Sequence, residues 1–489
     1  MTPLPEGFRL VLDRSVRSFG GGNVLTGGHP GRLITLSESG VAALHLLLEG
    51  GAASDHGRRL GRRLVDAGMA HPRPPRPSAT PQHARSVTVV VPARDRSASL
   101  DRCLASLGTG TPVVVVDDGS RDPAPVAEVC ERHGARLITR MANGGPGAAR
   151  NDGLSIVDTE LIAFVDSDCT VTSAWLRGLT WMFDDPLLGA VAPRVRPDHS
   201  GRRPVARSVL SRFSNAHSAL DMGADRSEVG RERLVRYVPT AALVVRRTAM
   251  TNGFDTDLRV GEDVDLVWRL LDAGWRVRYE PSTTVLHREP SSWPELFSRR
   301  FRYGTSAGPL ARRHPGRLAP LELRPWPTVI AAAVLAGRPR LAVALLLGSV
   351  AMMARGVRGR GIPINQPIHW CSQSAGWTLV GIGRAATMLA GPALAVGARR
   401  GRRWAGAAAL LVLTPPAVEW WRRRPELDPL RWSLASIVDD VAYGAGVWAG
   451  CLRSRSLGPL VPSVRFQRAT GEVRGSNGRG VTPHAARSV

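Results

Sequence analysis

The stretch that most constrains this chain is Leu161 to Thr170, LIAFVDSDCT. A short apolar run ending in acidic residues reads as a buried parallel strand that delivers carboxylates to its carboxyl edge. In open α/β sheets ligands bind at that edge. Asp166 and Asp168 stand two apart, a spacing that shares one face of an extended chain. A turn at Ser167 would gather both side chains around one hard cation able to hold a diphosphate.

The flanking sequence repeats the same grammar. VTVVVP from Val87 and VVVV from Val113 read as buried strands. Helices are expected over Ser97 to Leu107, about Pro123 to His133, and Ala148 to Val157, with a short strand at Arg136 to Ile138. Repeated strand–helix–strand units make a doubly wound sheet. Further on, the pattern predicts a helix over Trp175 to Asp184 and strands near Ala190 and Ala241. A helix opens at Glu262-Asp263, a strand ends at His287, and a basic helix, FSRRFRYG, follows.

Both ends differ from this middle. Residues 8–36 predict two strands, FRLVLD and GRLITL, around a Gly-rich centre. Helices from Ser37 to a Gly stop and from Ser54 to Ala67 follow, each with a capping residue at its start. This is the element order of a small winged-helix-like α+β module, residues 1–72. HPRPPRPSATPQ (71–82) carries five prolines and predicts a stiff linker, placed at 73–85. The last stretch, 461–489, is polar and Gly-rich and predicts disorder.

Charge is unevenly distributed. The formal net charge is +24, all of the cations are Arg, and from Arg324 onward there are 22 Arg against six acids. That interleaving of Arg with apolar runs and Trp suits an anionic membrane surface better than nucleic acid. The uncharged runs there are 14, 14 and 15 residues (341–354, 385–398, 404–418). A spanning helix wants about 20, so residues 316–460 are expected to lie at a membrane interface or to enter it as a short hairpin such as Val329 to Met353, with a soluble helical domain as the alternative. Five scattered Cys without a CxxC spacing argue against a disulfide framework or zinc site and fit a reducing compartment. The N-terminus shows no signal-peptide pattern, so the expected location is the cytoplasmic face of the membrane.

Taken together, VVVPARDR, VVVVDDGS, NGGPGAARNDG, FVDSD and GEDVDLVWRLLDAG resemble a family 2 glycosyltransferase of GT-A fold. The resemblance covers residues 86–315 and implies an α/β doubly wound mixed sheet, a UDP-sugar donor and Mg²⁺ or Mn²⁺. On it, Pro92, Arg94, Asp95 and Asp118 meet the nucleotide, Arg150 the sugar or diphosphate, and Asp166 the ribose or donor sugar. Asp168 and His287 are the implied metal ligands. Asp263 is the general base, deprotonating an acceptor hydroxyl for inverting in-line attack. Glu262, Arg299, Arg302 and Tyr303 are assigned to the acceptor or diphosphate. The processive signature Q-x-x-R-W is not evident, which puts long-chain synthesis in doubt. DSDCT also matches the D-x-D-x-T of haloacid-dehalogenase phosphatases, but those usually need a later Lys and the flanking motifs do not fit.

L-S-E-S-G-V-A-A-L and its element order make the first module similar to PqqD-like domains, which implies a leader peptide or pathway protein as its partner by strand addition. A DNA-binding winged helix or a simple packing domain shares that element order. With RSFGGGNVLTGGHPGRLITLS, RRFRYGTSAGPLARRHP and DDVAYGAGVWAG, nearly the whole chain looks like the mycofactocin biosynthesis glycosyltransferases. That narrower resemblance implies β-linked glucose added from UDP-glucose to a peptide-derived redox-cofactor precursor. Two other classes stay open: a transferase acting on a lipid-linked or envelope acceptor, and an idle scaffold that would bind no nucleotide sugar.

Overall fold

The computed structural model describes residues 1–75, 86–172, 174–198 and 208–465. Most of the Pro-rich linker and of the C-terminal tail therefore lie outside the described residues.

The first module holds more strand than its alternation announced. β1 (Arg9–Leu12) is followed by β2 (Arg17–Phe19), β3 (Val24–Gly27) and β4 (Arg32–Thr35), the last three forming an antiparallel sheet. Gly20, Gly21 and Gly22 between β2 and β3 have φ of 59°, 71° and 102°. Three successive left-handed residues reverse the chain tightly, so the Gly-rich centre begins with a hairpin. α1 (Glu38–Glu49) opens on Ser37, whose hydroxyl accepts from the Gly40 N–H, and closes on Gly50 at φ 83°. α2 (Asp55–Asp66) is capped by Ser54 in the same way. β5 (Ala70–Arg73) then pairs with β1, bringing His71 Nε2 2.9 Å from Asp13 Oδ2. His71 to Arg73 is thus sheet, where a linker was expected, because β1 would otherwise be an unpaired edge.

The module has its own apolar core, around Leu10, Leu25, Leu47 and Leu64, and is anchored by charge. Arg62, fully buried on α2, donates from Nη1 and Nη2 to Asp185 Oδ2 and Oδ1 at 2.8 and 2.9 Å. Asp185 also accepts from Arg278 at 3.2 Å. Removing one member of such a network leaves buried charges unpaired, at a cost of about 3–5 kcal/mol. Asp185→Ala is expected to lower the thermal midpoint accordingly; an unchanged midpoint would show that the anchor contributes nothing.

The central sheet begins with β6 (Val87–Ala93), α3 (Ser97–Leu107), β7 (Val113–Asp117), α4 (Ala124–Arg132), β8 (Arg136–Thr139) and α5 (Pro146–Ser155). β9 (Leu161–Val165), buried at all five positions, is the expected central strand. β10 (Cys169–Val171) follows, then the short α6 (Arg177–Thr180) with a 3₁₀ turn to Asp184, in place of one longer helix. After β11 (Leu188–Asp198), α7 (Val209–His217), β12 (Ser227–Glu228) and β13 (Ala242–Arg246) come α8 (Glu262–Asp272) and the 13-residue β14 (Arg276–Arg288). The strand order is β10-β14-β11-β13-β9-β6-β7-β8, with β12 against β14. β8, β7, β6 and β9 are mutually parallel, whereas β13 runs antiparallel to both neighbours, so the sheet is mixed. Apolar layers cover both faces, as a GT-A-like doubly wound sheet requires.

α9 (Trp293–Thr305) and α10 (Ala307–Arg313) lead to β15 (Glu322–Leu323) and five further helices: α11 (Pro325–Leu335), α12 (Pro339–Gly356), α13 (Asn365–Ala398), α14 (Arg402–Arg423) and α15 (Pro429–Ser454). β16 (Ser463–Val464) pairs with β15, so the start of the tail is ordered by sheet pairing. The uncharged runs understated the helices. α12 and α13 are 18 and 34 residues long and by length and composition are able to cross a membrane. Arg384, which interrupts the apolar run inside α13, donates from Nε to Asp440 Oδ1 on α15 at 3.0 Å, which pairs its charge within the helical region. α15 lies directly on α9. A methyl at Gly446 would fall 2.0 Å from the Phe301 carbonyl oxygen, and at Gly450 2.3 Å from that of Thr305. Only glycine permits so close an approach.

Candidate active site

The candidate residues converge on the carboxyl edge of β6, β7 and β9. At the end of β6, Pro92 sits in register with Val116 of β7. Asp95 adopts φ 53°, a left-handed conformation uncommon outside glycine. Ser120 and Arg121 hold it there: its N–H donates to Ser120 Oγ at 2.9 Å, and its Oδ1 accepts from the Arg121 N–H at 2.8 Å. Arg94 and Asp95 are exposed at this rim. Asp118 lies beneath it, buried, with its two oxygens accepting from Gly144 and Gly145 N–H at 2.8 and 2.7 Å. It therefore organises the Gly-rich turn ahead of α5, as an anion at a helix start does.

Arg150 departs from expectation. It was expected to face the donor, yet its side chain is 3 % exposed. Nη2 donates to Asp166 at 2.6 Å and Nη1 to Glu262 at 2.9 Å. The guanidinium lies 5.4 Å from the Phe254 ring centroid. It is a buried brace that joins the end of β9 to the start of α8, and a fork-shaped cation is the group that can hold two carboxylates at once.

That brace places Asp263. Its Oδ1 accepts from the Val264 N–H at 2.8 Å, at the first turn of α8. Removal from water, reinforced by the adjacent Glu262, pushes the Asp263 carboxyl up to about 7, while Arg150 pulls the other way. A carboxylate titrating near neutrality is able to accept a proton at physiological pH.

The register of β10 on β14 sets Cys169 opposite His287. His287 Nε2 consequently lies 3.5 Å from Asp168 Oδ1, and its Nδ1 faces Glu289 at 3.6 Å. Burial opposes protonation of His287, but Asp168 and then Glu289 outweigh it and the pKa is raised. Asp168 also approaches Arg96 at 3.4 Å. Nδ1 makes no hydrogen bond although buried. This pair, with a carboxylate behind the imidazole, is of a kind that would hold a divalent cation, which would supply positive charge for a diphosphate. No group of three or more His, Cys, Asp or Glu side chains is gathered for a metal among the described residues.

Beside this pair lies a cavity of about 310 Å³ lined by Arg96, Ser99, Arg288, Glu289, Glu295 and Arg299, among others. Arg299 lies 3.9 Å from Glu289, on the side of the Asp168–His287 pair. Arg302 is exposed on α9, whereas Tyr303 is within electrostatic reach of Asp263 and Asp166. Sequence reasoning missed Arg96 and Glu289. Each is next to or near a chosen residue, in VPARDR and HRE, but only the fold shows which way they lean.

A model of glycosyl transferase family 2 matches residues 88–238. The chain is 37 % identical over 481 residues to the pre-mycofactocin glycosyltransferase of Mycobacterium tuberculosis strain H37Rv, covering 95 % of this chain and 99 % of that one. The chain belongs to the pre-mycofactocin glycosyltransferase family. Other relatives cover a smaller share of the chain. The succinoglycan biosynthesis protein ExoO of Rhizobium meliloti is 32 % identical over 41 % of this chain and 60 % of its own length. Among solved structures, a mannosyltransferase of Pyrobaculum calidifontis in complex with GDP-Man and Mn²⁺ aligns with a TM-score of 0.44 at 19 % identity, over 77 % of this chain and 89 % of that one.

Proposed function

We propose that this protein is an inverting, metal-dependent hexosyltransferase that moves glucose from UDP-glucose onto the mycofactocin precursor as β-linked oligoglucose. The observation that carries the reading is the continuous set Asp166–Arg150–Glu262–Asp263 beside the Asp168–His287 pair, all at one sheet edge. The name of the M. tuberculosis relative supports the acceptor.

In this reading the nucleotide lies on the rim formed by Pro92, Arg94, Asp95 and the loop held by Asp118. Asp166, steadied by Arg150, receives the ribose or the donor sugar. Asp168 and His287 would hold Mg²⁺ or Mn²⁺, which supplies positive charge for the departing diphosphate. Asp263 takes the proton from the acceptor hydroxyl as that oxygen attacks the anomeric carbon from the face opposite UDP. Arg299 and Tyr303 border the diphosphate and acceptor sides.

Incubation with UDP-glucose and precursor isolated from cells lacking the gene should add hexoses, read by mass spectrometry. Absence of hexose addition together with UDP-glucose turnover on a lipid-linked acceptor would favour the second reading, a lipid or envelope acceptor. The exposed apolar side chains of α12 to α14, Leu347, Met352, Trp377, Trp404 and Leu413 among them, speak for that reading and for work at a membrane surface. The first module would serve as a PqqD-like docking site for a leader peptide or pathway protein.

Asp168→Ala should weaken Mn²⁺-dependent UDP binding by at least about 10-fold, measured calorimetrically with and without chelator. Equal metal dependence in the variant would remove Asp168 as a ligand.

A further inference from the structure

Arginines that brace this fold hold their carboxylates at short range. Arg194 donates to the two oxygens of Asp221, each at 2.8 Å. Arg226 does so to Glu280 at 2.9 and 2.8 Å, and Arg62 to Asp185 at 2.8 and 2.9 Å. The arginines of the cavity beside Asp168 and His287 behave differently. Arg96 Nη1 lies 3.4 Å from Asp168 Oδ2, Arg288 Nη1 3.4 Å from Ser99 Oγ, and Arg299 Nη1 3.9 Å from Glu289 Oε2. A guanidinium in a charge-assisted hydrogen bond stands about 2.7–2.9 Å from its acceptor. Among the described residues, these three side chains therefore keep most of their donor capacity.

They reach one concave space from separate elements. Arg96 precedes α3, Arg288 ends β14 and Arg299 lies within α9, and all three line the cavity of about 310 Å³. That volume falls within the range of small-ligand sites. The cavity adjoins the Asp168–His287 pair directly: the Arg288 N–H donates to the Asp168 carbonyl oxygen at 3.0 Å, and Glu289 in its wall lies 3.6 Å from His287 Nδ1.

Two carboxylates share the wall, and each has partners of its own. Glu295 Oε2 accepts from the Ser291 N–H at 2.8 Å and from its hydroxyl at 3.1 Å. Glu289 Oε1 accepts from Ser218 Oγ at 2.8 Å and faces His287. Three guanidiniums against two carboxylates leave the lining one positive charge in excess. Asp168 adjoins Arg96 from outside this lining, and in the reading above its charge is committed to the divalent cation. Planar forks with free N–H groups, converging on one space, match the oxygens of a phosphate.

We propose that Arg96, Arg288 and Arg299 form a phosphoryl-anion subsite, which holds a phosphate group by direct ion pairing in addition to the hold of the divalent cation. The source of that phosphate rests on the glycosyltransferase reading: it is the diphosphate of a nucleotide-sugar donor or the phosphate of a lipid-linked acceptor. The subsite gives Arg96 and Arg288 a role and implies phosphate affinity that survives removal of divalent cations.

The test uses the full-length protein in excess chelator, titrated calorimetrically with UDP, uridine, inorganic pyrophosphate and farnesyl phosphate. The wild type is expected to bind UDP more tightly than uridine under these conditions. Arg96→Met and Arg288→Met should each weaken pyrophosphate and UDP binding roughly ten-fold, with uridine affinity and thermal midpoint unchanged. A ten-fold loss for farnesyl phosphate with UDP unaffected would support the subsite equally and assign it to the acceptor. Unaltered affinity for all three phosphates, or no phosphate bound by the wild type, would overturn the proposal. So would a parallel loss for uridine, which marks a structural role. The glycosyltransferase reading fails separately. A wild type that binds neither UDP nor uridine, with Mn²⁺ or without, would sink that reading, whereas pyrophosphate binding lost in the variants would still establish the subsite.

Discussion

Asp263→Asn is expected to lower hexose transfer about 1,000-fold, the middle of the range for a lost general base, with UDP affinity close to that of the wild type. The carboxamide keeps the shape of the side chain and its bond to the Val264 N–H but accepts no proton. The wild-type pH profile supplies the matching test. Burial and Glu262 hold the Asp263 carboxyl at about 7. The base form is populated above that value and lost below it, so kcat/KM should fall tenfold per unit as pH drops below about 7. In Asp263→Asn the residual rate should not show this acid limb. Full activity in the variant, or an acid limb that persists unchanged, would remove Asp263 as the base.

Arg150→Met is expected to damage both the fold and the chemistry. The guanidinium is buried between Asp166 and Glu262, and its removal leaves two carboxylates without their cation, at a cost of about 3–5 kcal/mol in stability. Arg150 also lowers the Asp263 pKa. Its loss therefore shifts that pKa upward, and the acid limb of the pH profile moves to higher pH. A residue that merely touched the diphosphate would instead weaken UDP binding and leave the limb in place. Thermal midpoint, UDP affinity and pH profile together separate the two. Arg150→Lys is expected to recover little, because a point-like ammonium does not span two carboxylates as the planar fork does.

The apolar helices were harder to read than the catalytic middle, for an electrostatic reason. A charge inside an apolar run looks like an interruption when only neighbours along the chain are considered. Arg384 is an interruption of that kind, and Asp440, 56 residues away, cancels it. The Gly-rich segment at 20–22 read only as the centre between two expected strands. Glycine marks both loops and the tightest reversals, and only pairing of β2 with β3 distinguishes them.

Local patterns along the chain were enough to establish the alternation of strands and helices, the five buried residues of β9, and the acidic pair delivered at its end. These follow from spacing and turn chemistry within a few residues, which the chain carries wherever it is placed. The site itself was decided by contacts between distant residues. His287 reaches Asp168 because of the register of β10 on β14. Arg150 spans partners 16 and 112 residues away, and α15 lies against α9 because glycines let the two helices touch. Strand register and the approach of packed helices are set by the fit of whole surfaces, and no short window of sequence contains both sides of that fit.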